Sequence, residues 1–356
     1  MRFRRRNRTL IAVAALLAMV AAACSSGTTT TTTAGSVTSQ GQTTSSTQGQ
    51  VPSTTAAQAP STTAARETPQ IGFAWTDPSI EVFVPLKAGA LEEAAARGYK
   101  VLFSNNGGDP AAQLADIQTW IGLGVAGLVI LPLDPDATTN LATQAQEAGV
   151  VVIGYSDHIK NEDGSTTFDH VQGGTDLGKN AADWINEHLD GKGVVGLLTI
   201  DTMEVGRQRI DNAVKVIEAE TDSVIADRQT AVTAADALPV VQSMLQAHPD
   251  LNVVLCVADD GCLGAAQAFK GAGIDPSGVY MAGWDGARPA LEQIAAGDSY
   301  IKADAALDLM EIGRSVVYTV DYAINGGGDP NVVHQYVIVD TSTPGEVQRL
   351  LDAYQS

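Results

Sequence analysis

From residue 70 onward, short apolar runs alternate with longer segments in which apolar residues recur every three or four positions. The runs at 71–75, 100–104, 126–131 and 150–155 are continuous rather than alternating. Strands of that kind are apolar on both faces, as in a parallel sheet covered by helices on each side. The segments between them, 81–97, 111–122 and 137–148, read as helices, with Leu114, Ile117 and Ile121 marking one buried stripe. A polar insertion at 156–168 interrupts the rhythm, which then restarts. Helices over 176–189, 206–220, 234–247 and 263–272 alternate with strands over 193–200, 223–228, 253–257 and 279–282. The tail adds a strand from Tyr300, a helix over 310–324, a strand over 335–339 and a terminal helix. Two runs of βα units, each of roughly 110–130 residues, predict an α/β protein of two doubly wound parallel-sheet lobes.

The residues before this body carry a different pattern. Arg2, Arg4, Arg5, Arg6 and Arg8 precede an apolar run at 10–23. That run is too short for a comfortable membrane span and has the build of a secretory signal, predicted to cover 1–23. Small residues lead into Cys24, a pattern similar to the lipobox of bacterial lipoproteins. It implies cleavage before Cys24, lipid modification of that residue and a location outside the cytoplasm on the cell membrane. Residues 24–69 are almost all Thr, Ser, Gly, Gln, Ala and Pro, and cannot bury a core. They read as a flexible tether.

Charge narrows the partners. The chain has 21 basic and 41 acidic residues. Five of the basic ones precede Cys24, so the part after cleavage would carry 16 against 41. Nucleic acid and anionic lipid both need a positive surface, so neither is an expected partner. The membrane is reached through the lipid anchor alone. Two further cysteines remain, Cys256 and Cys262. An oxidising compartment permits a disulfide between them. Spacing does not decide whether their Cα atoms come within about 7 Å, so both the bonded and the free form stand.

Candidate chemistry is sparse. Gly122–Gly127 matches G-x-G-x-x-G but ends a helix and enters a strand, the reverse of a dinucleotide site. Gly173–Lys179 approaches a phosphate loop, but Asn180 replaces the hydroxyl that would hold magnesium. There is no G-x-S-x-G, H-E-x-x-H or C-x-x-C. His158, His170, His188, His248 and His334 are scattered without ligand spacing and read as surface or loop residues. No enzyme activity, metal or cofactor is expected. The informative stretch is 279–288, where an apolar strand ends in Gly283-Trp284-Asp285-Gly286. In open α/β sheets ligands bind at the carboxyl ends of strands. A carboxylate beside an indole suits a polyhydroxylated ring, polar at its edge and apolar on its face. A helix-capping Asp beside a packed Trp fits the same residues, and this stretch alone does not choose.

Several pieces together carry a family resemblance. They are Phe83-Val-Pro-Leu-Lys87-Ala-Gly89, Val152-Ile153-Gly154, Gly206-Arg207-Gln208-Arg209, Ala247-His-Pro-Asp250 leading to Ala258-Asp259-Asp260 with Leu263-Gly264, and Gly283-Trp284-Asp285-Gly286. In this order, over about 270 residues, they resemble the periplasmic sugar-binding proteins of the ribose and galactose type, the receptors of ATP-binding-cassette importers. The resemblance implies the type I periplasmic-binding fold, two lobes joined by three hinge strands, with crossings near Gly173, Leu307 and Val339. The first lobe would be 70–172 plus 308–338 and the second 173–307 plus 339–356. It implies a monomer that closes on a small sugar or polyol and presents the closed form to the permease subunits.

By the same resemblance Asp285 and Arg207 face ligand hydroxyls and Phe83 lies against the ring. Trp75, Tyr155, Trp284, Asp157 and Asp259 are further candidate contacts. Ala258, Leu307 and Ser156-Asp157 depart from the ribose-type pattern of polar residues, so a monosaccharide other than ribose, a polyol or a cyclitol is expected. A second reading keeps the fold but makes the protein a sensor that reports a small molecule to a membrane receptor. A transcriptional regulator of related fold would begin with a helix-turn-helix, which the signal and tether pattern argues against.

Overall fold

A computed structural model describes residues 68–76 and 80–355. The signal segment, Cys24 and nearly all of the tether lie outside the described residues. The body opens with β1 (Gln70–Ala74), α1 (Phe83–Arg97), β2 (Lys100–Phe103), α2 (Pro110–Leu123), β3 (Gly127–Ile130), α3 (Pro135–Glu147), β4 (Val151–Tyr155) and β5 (Gly164–Phe168). It continues with α4 (His170–His188), β6 (Val194–Thr199), α5 (Glu204–Glu220), β7 (Val224–Thr230), α6 (Ala234–Ala247), β8 (Val253–Cys256) and α7 (Asp259–Gly271). Then come β9 (Tyr280–Asp285), α8 (Arg288–Ala296), β10 (Ile301–Ala306), α9 (Leu309–Asn325), β11 (Asn331–His334), β12 (Val337–Asp340) and α10 (Pro344–Asp352).

Local chemistry sets many of these boundaries. Asp109 and Asp134 accept from the first backbone amides of α2 and α3, each with Pro at the first helical position. Gly98 and Gly124 close α1 and α2 in the left-handed conformation. The G-x-G-x-x-G pattern is therefore a helix stop, with β3 starting at its last glycine.

The strands form two six-stranded sheets, ordered β11-β5-β4-β3-β1-β2 and β12-β10-β9-β8-β6-β7. Every pairing is parallel except β10 with β12. The α/β fold with two doubly wound lobes is present. The chain passes between the sheets three times, around Asp169, at Leu307–Asp308 and at Gln335–Tyr336. The strand expected over 335–339 begins later, as β12, which pairs antiparallel with β10 of the second sheet; an unexpected β11 before it joins the first sheet, and Gln335 and Tyr336 span between. Val337 and Ile338, expected in the first lobe, thus lie in the second sheet.

Two other elements differ from the sequence expectation. The polar insertion contains β5, whose Gly-Ser-Thr-Thr-Phe has no apolar run to announce it. Helix α4 begins at His170 rather than 176, so the near phosphate loop is helix throughout. Its Gly173, Gly174 and Gly178 are poor helix formers, yet all three are buried where the helix packs. In the first lobe α1 and α9 also cross at close range. A Cβ on Gly89 would strike the Met310 carbonyl, and one on Gly313 would strike the carbonyl of Leu86.

Candidate functional site

The three crossings and the carboxyl ends of β1, β4, β8 and β9 converge on one cluster of side chains. On the first lobe, Trp75 follows β1, Tyr155 ends β4 and Phe83 opens α1. Trp75 stacks on Phe83 with ring centroids 5.6 Å apart and meets Tyr155 edge-on at 5.1 Å. All three are buried. The backbone of Trp75 is fixed by Ser104, whose hydroxyl accepts from its amide and donates to its carbonyl, and by Asn106, which donates to the same carbonyl. Phe83 and Tyr155 thus both pack against Trp75.

On the second lobe, Asp285 ends β9 and receives a two-pronged contact from Arg209, Nη2 to Oδ1 at 2.8 Å and Nη1 to Oδ2 at 3.3 Å. The carboxylate of Asp285 keeps 30% of its side-chain surface exposed, against 10% for the arginine. Arg209 also donates to the Val257 carbonyl at the end of β8 and to the Tyr336 hydroxyl at 2.8 Å. Burial works against its charge, but the Asp285 carboxylate and Tyr336 outweigh it and hold the guanidinium above its ordinary pKa. Its Cζ lies 4.9 Å from the centroid of the Trp284 ring.

Arg207, the arginine expected here, is exposed and donates to the backbone carbonyl of Asp201. The two residues lie about 200° apart around α5. The buried face of that helix runs through Arg209, Ala213 and Ile217. Trp284 is likewise corrected: its ring is fully buried, edge-on to Tyr336 at 4.9 Å, and supports the arginine from below. Asp259 is buried beneath the β9–α8 turn, where it accepts from the Ala287 amide at 2.6 Å. Asp157 is half-buried on the first lobe. Burial and the charge of Glu204 on α5 raise its pKa.

Two residues at the crossings escaped the sequence reading. Tyr336 accepts from Arg209 and so donates to His170 Nδ1 at 2.9 Å. The neutral ring then carries its proton on Nε2, which is buried without a partner. Burial and then the charge of Arg209 push the His170 pKa down to about 3. His170 also borders a recess of ≈ 410 Å³ lined by Asp157, Phe168, Glu204 and Gln208. His170 and His334 are not the surface residues expected; His334 Nε2 pairs with the Ser315 hydroxyl, and burial lowers its pKa to about 4.

The structure joins Cys256 to Cys262, with Cα atoms 5.5 Å apart, across the turn that carries Ala258 and Asp259. Among the described residues no group of His, Cys, Asp and Glu could hold a metal ion, and no helix is long and apolar enough to cross a membrane.

Comparison with known proteins agrees with this architecture. The family model "Periplasmic binding protein domain" matches residues 71–328. The ribose import binding protein of Escherichia coli is 31% identical over 247 residues, covering 68% of this chain and 81% of that protein. An ABC transporter solute binding protein from Mycobacterium smegmatis, solved with bound glycerol, is 28% identical with a TM-score of 0.69, over 78% of this chain and 96% of that one. The Caulobacter myo-inositol binding protein, solved with myo-inositol, is 26% identical with a TM-score of 0.68, over 80% and 96% of the two chains. These relatives are transport proteins, not enzymes. With its two parallel-sheet lobes, three crossings and matched length, the chain belongs to the periplasmic sugar-binding protein family of ABC transporters.

Proposed function

We propose that this protein captures a small polyhydroxylated molecule, a monosaccharide, polyol or cyclitol, between its two lobes and delivers it to an ABC importer. The observation that carries this reading is the Arg209–Asp285 pair, set where the crossings meet and facing the Trp75–Phe83–Tyr155 cluster. The partly exposed carboxylate accepts from hydroxyls, the aromatic faces cover C–H surface, and His170 Nε2 supplies an unspent donor. Ribose is disfavoured, because Ala258 and Leu307 make this side of the cleft apolar where the ribose type is polar. The arginine contact passes from Arg207 to Arg209, and Asp259 and Trp284 act as supports of the site. Lipid modification at Cys24 would tether the body to the membrane through the Thr/Ser-rich segment. The three crossings would act as hinges, and ligand contacts made only when the lobes close would bias that closure.

A thermal-shift panel of pentoses, hexoses, polyols and cyclitols tests this reading. Binding to the native state raises the melting temperature by mass action. We expect at least one member to raise it in a concentration-dependent way. A flat response across the panel, with a shift from a different class such as amino acids, would overturn the assignment.

A further inference from the structure

Behind Asp285 lies a second acidic pair that the ligand-binding reading does not use. Asp304 stands on β10 directly across from Gly283 of β9, and Asp259 opens α7. Both side chains are buried, with Asp304 at 0% exposure and Asp259 at 3%. Each carboxyl spends one oxygen on the turn after Asp285. Asp304 Oδ1 accepts from the Gly286 amide at 3.0 Å, and Asp259 Oδ2 accepts from the Ala287 amide at 2.6 Å. The remaining oxygens, Asp259 Oδ1 and Asp304 Oδ2, are buried and find no donor from any other residue. The two side chains are within hydrogen-bonding reach of each other. Gly283 leaves the space for this arrangement, since a Cβ there would collide with Asp259 Oδ1.

Two ionised carboxylates in such a place would repel, no cation donates to the free oxygens, and Arg209, spent on Asp285, is only the last of the causes acting on Asp304. A single proton held between them satisfies both. We propose that Asp259 and Asp304 share one proton and act together as positioning residues, fixing the turn that aims Asp285 into the cleft. Asp285 needs such support. Its φ of 91° and that of Gly286 at 76° lie in the left-handed region, which a side-chain-bearing residue adopts only under restraint. The two amides held by the pair follow it directly in sequence.

The electrostatics agree. Burial comes first and the neighbouring carboxylate second in raising Asp259 well above the usual range. Burial raises Asp304 to about 6. The groups facing the pair are Asp285 and Arg209 from the site, together with Tyr280, Tyr336 and Tyr354. Tyr354 also donates to the Gly286 carbonyl, closing the turn from its other side.

The sign of the linkage is fixed by these directions. The native pair keeps a proton that the unfolded chain releases near pH 4, so it stabilises most in acid and its contribution falls as pH rises through the raised values. His170 and His334 act oppositely in an overlapping window, so the test compares variants rather than reading one profile. Asp304→Asn keeps an acceptor for Gly286 and offers a permanent donor to Asp259.

The inference rests on reading Asp285 as the ligand-facing carboxylate, but its test needs no ligand. Melting temperature and amide exchange at Gly286 and Ala287 are followed from pH 4 to 8 in wild type and Asp304→Asn. Wild type should lose roughly 5 °C relative to the variant across this range, with exchange at the two amides rising beyond its intrinsic pH dependence. Parallel profiles would overturn the proposal. Carbon-detected titration of the wild-type aspartates gives a second reading should the variant fold poorly. One of the two carboxyls should titrate at or above pH 6, with the Gly286 amide shift tracking it. Both titrating below about pH 4.5 would overturn the proposal as well. A failed sugar panel would leave these readings unchanged, so the two claims fail separately.

Discussion

Arg209 spends all three guanidinium nitrogens, linking the ends of β8 and β9 to Tyr336 and His170 at two of the crossings. Its loss removes a ligand-side partner and a structural tie together. Arg209→Ala should weaken polyol binding at least tenfold and lower stability by about 1–3 kcal/mol, since it orphans buried acceptors and frees the Asp285 charge. Arg207→Ala, a surface change, should stay within about 0.5 kcal/mol of wild type and leave affinity unaltered. Calorimetric titration of the two variants with a hit from the panel separates them. The neutral His170 and His334 make a different prediction. Their folded values, about 3 and about 4, lie below that of a free imidazole, so the unfolded chain binds more protons beneath about pH 6.5. Stability therefore drops as pH falls from there, and His170→Asn should flatten part of that slope in chemical denaturation at pH 4–7. At this scale the sequence revealed residue types better than orientations. Asp285, Trp75 and Tyr155 became candidates because they stand at strand ends, and Phe83 because of the family resemblance. Arg209 needed the helical period of its own segment, in which Ala213 and Ile217 mark the buried side. His170, Tyr336 and Asp304 gave no local signal, because their partners come from distant parts of the chain.

At the scale of elements, turn chemistry and close crossings hold the site's supports. The Cys256–Cys262 bond ties the end of β8 to the first turn of α7, where Asp259 sits. A loop this short contributes roughly 2 kcal/mol, so mild reduction should lower the melting temperature by roughly 4–8 °C without unfolding the protein. An unchanged melting curve after verified reduction would show that packing alone holds the turn. In the first lobe, Gly313→Ala should destabilise by about 1–3 kcal/mol in denaturant titration, because the added methyl meets a helix backbone carbonyl that cannot step aside. The apolar strands and long helices were legible because burial on both faces writes itself into composition. β5 and β11 were not. β5 is Gly, Ser and Thr up to its final Phe168, and β11 lies at the sheet's edge with partly exposed residues.

For the molecule as a whole, the two lobes already touch across the cleft. Arg288 at the start of α8 bonds Glu81 ahead of α1 at 2.6 Å, and one apolar cluster includes Trp75, Tyr155, Trp284 and Leu307. The exposed ion pair adds little by itself, and the proposed closure would draw on ligand contacts at the cleft. The overall arrangement was readable from the repeat of βα units and the order of weak motifs over some 270 residues. The place of the third crossing was not, since Gln335 and Tyr336, expected to open a strand, instead span between β11 and β12. The central claim is that Asp285, held by Arg209, is the carboxylate that binds a polyol. Titration calorimetry of wild type and Asp285→Ala with the strongest carbohydrate or polyol hit tests it most directly. A charged hydrogen bond of about 1.5–3 kcal/mol predicts a tenfold to hundredfold loss of affinity. An affinity equal to wild type in a folded Asp285→Ala protein would contradict the account.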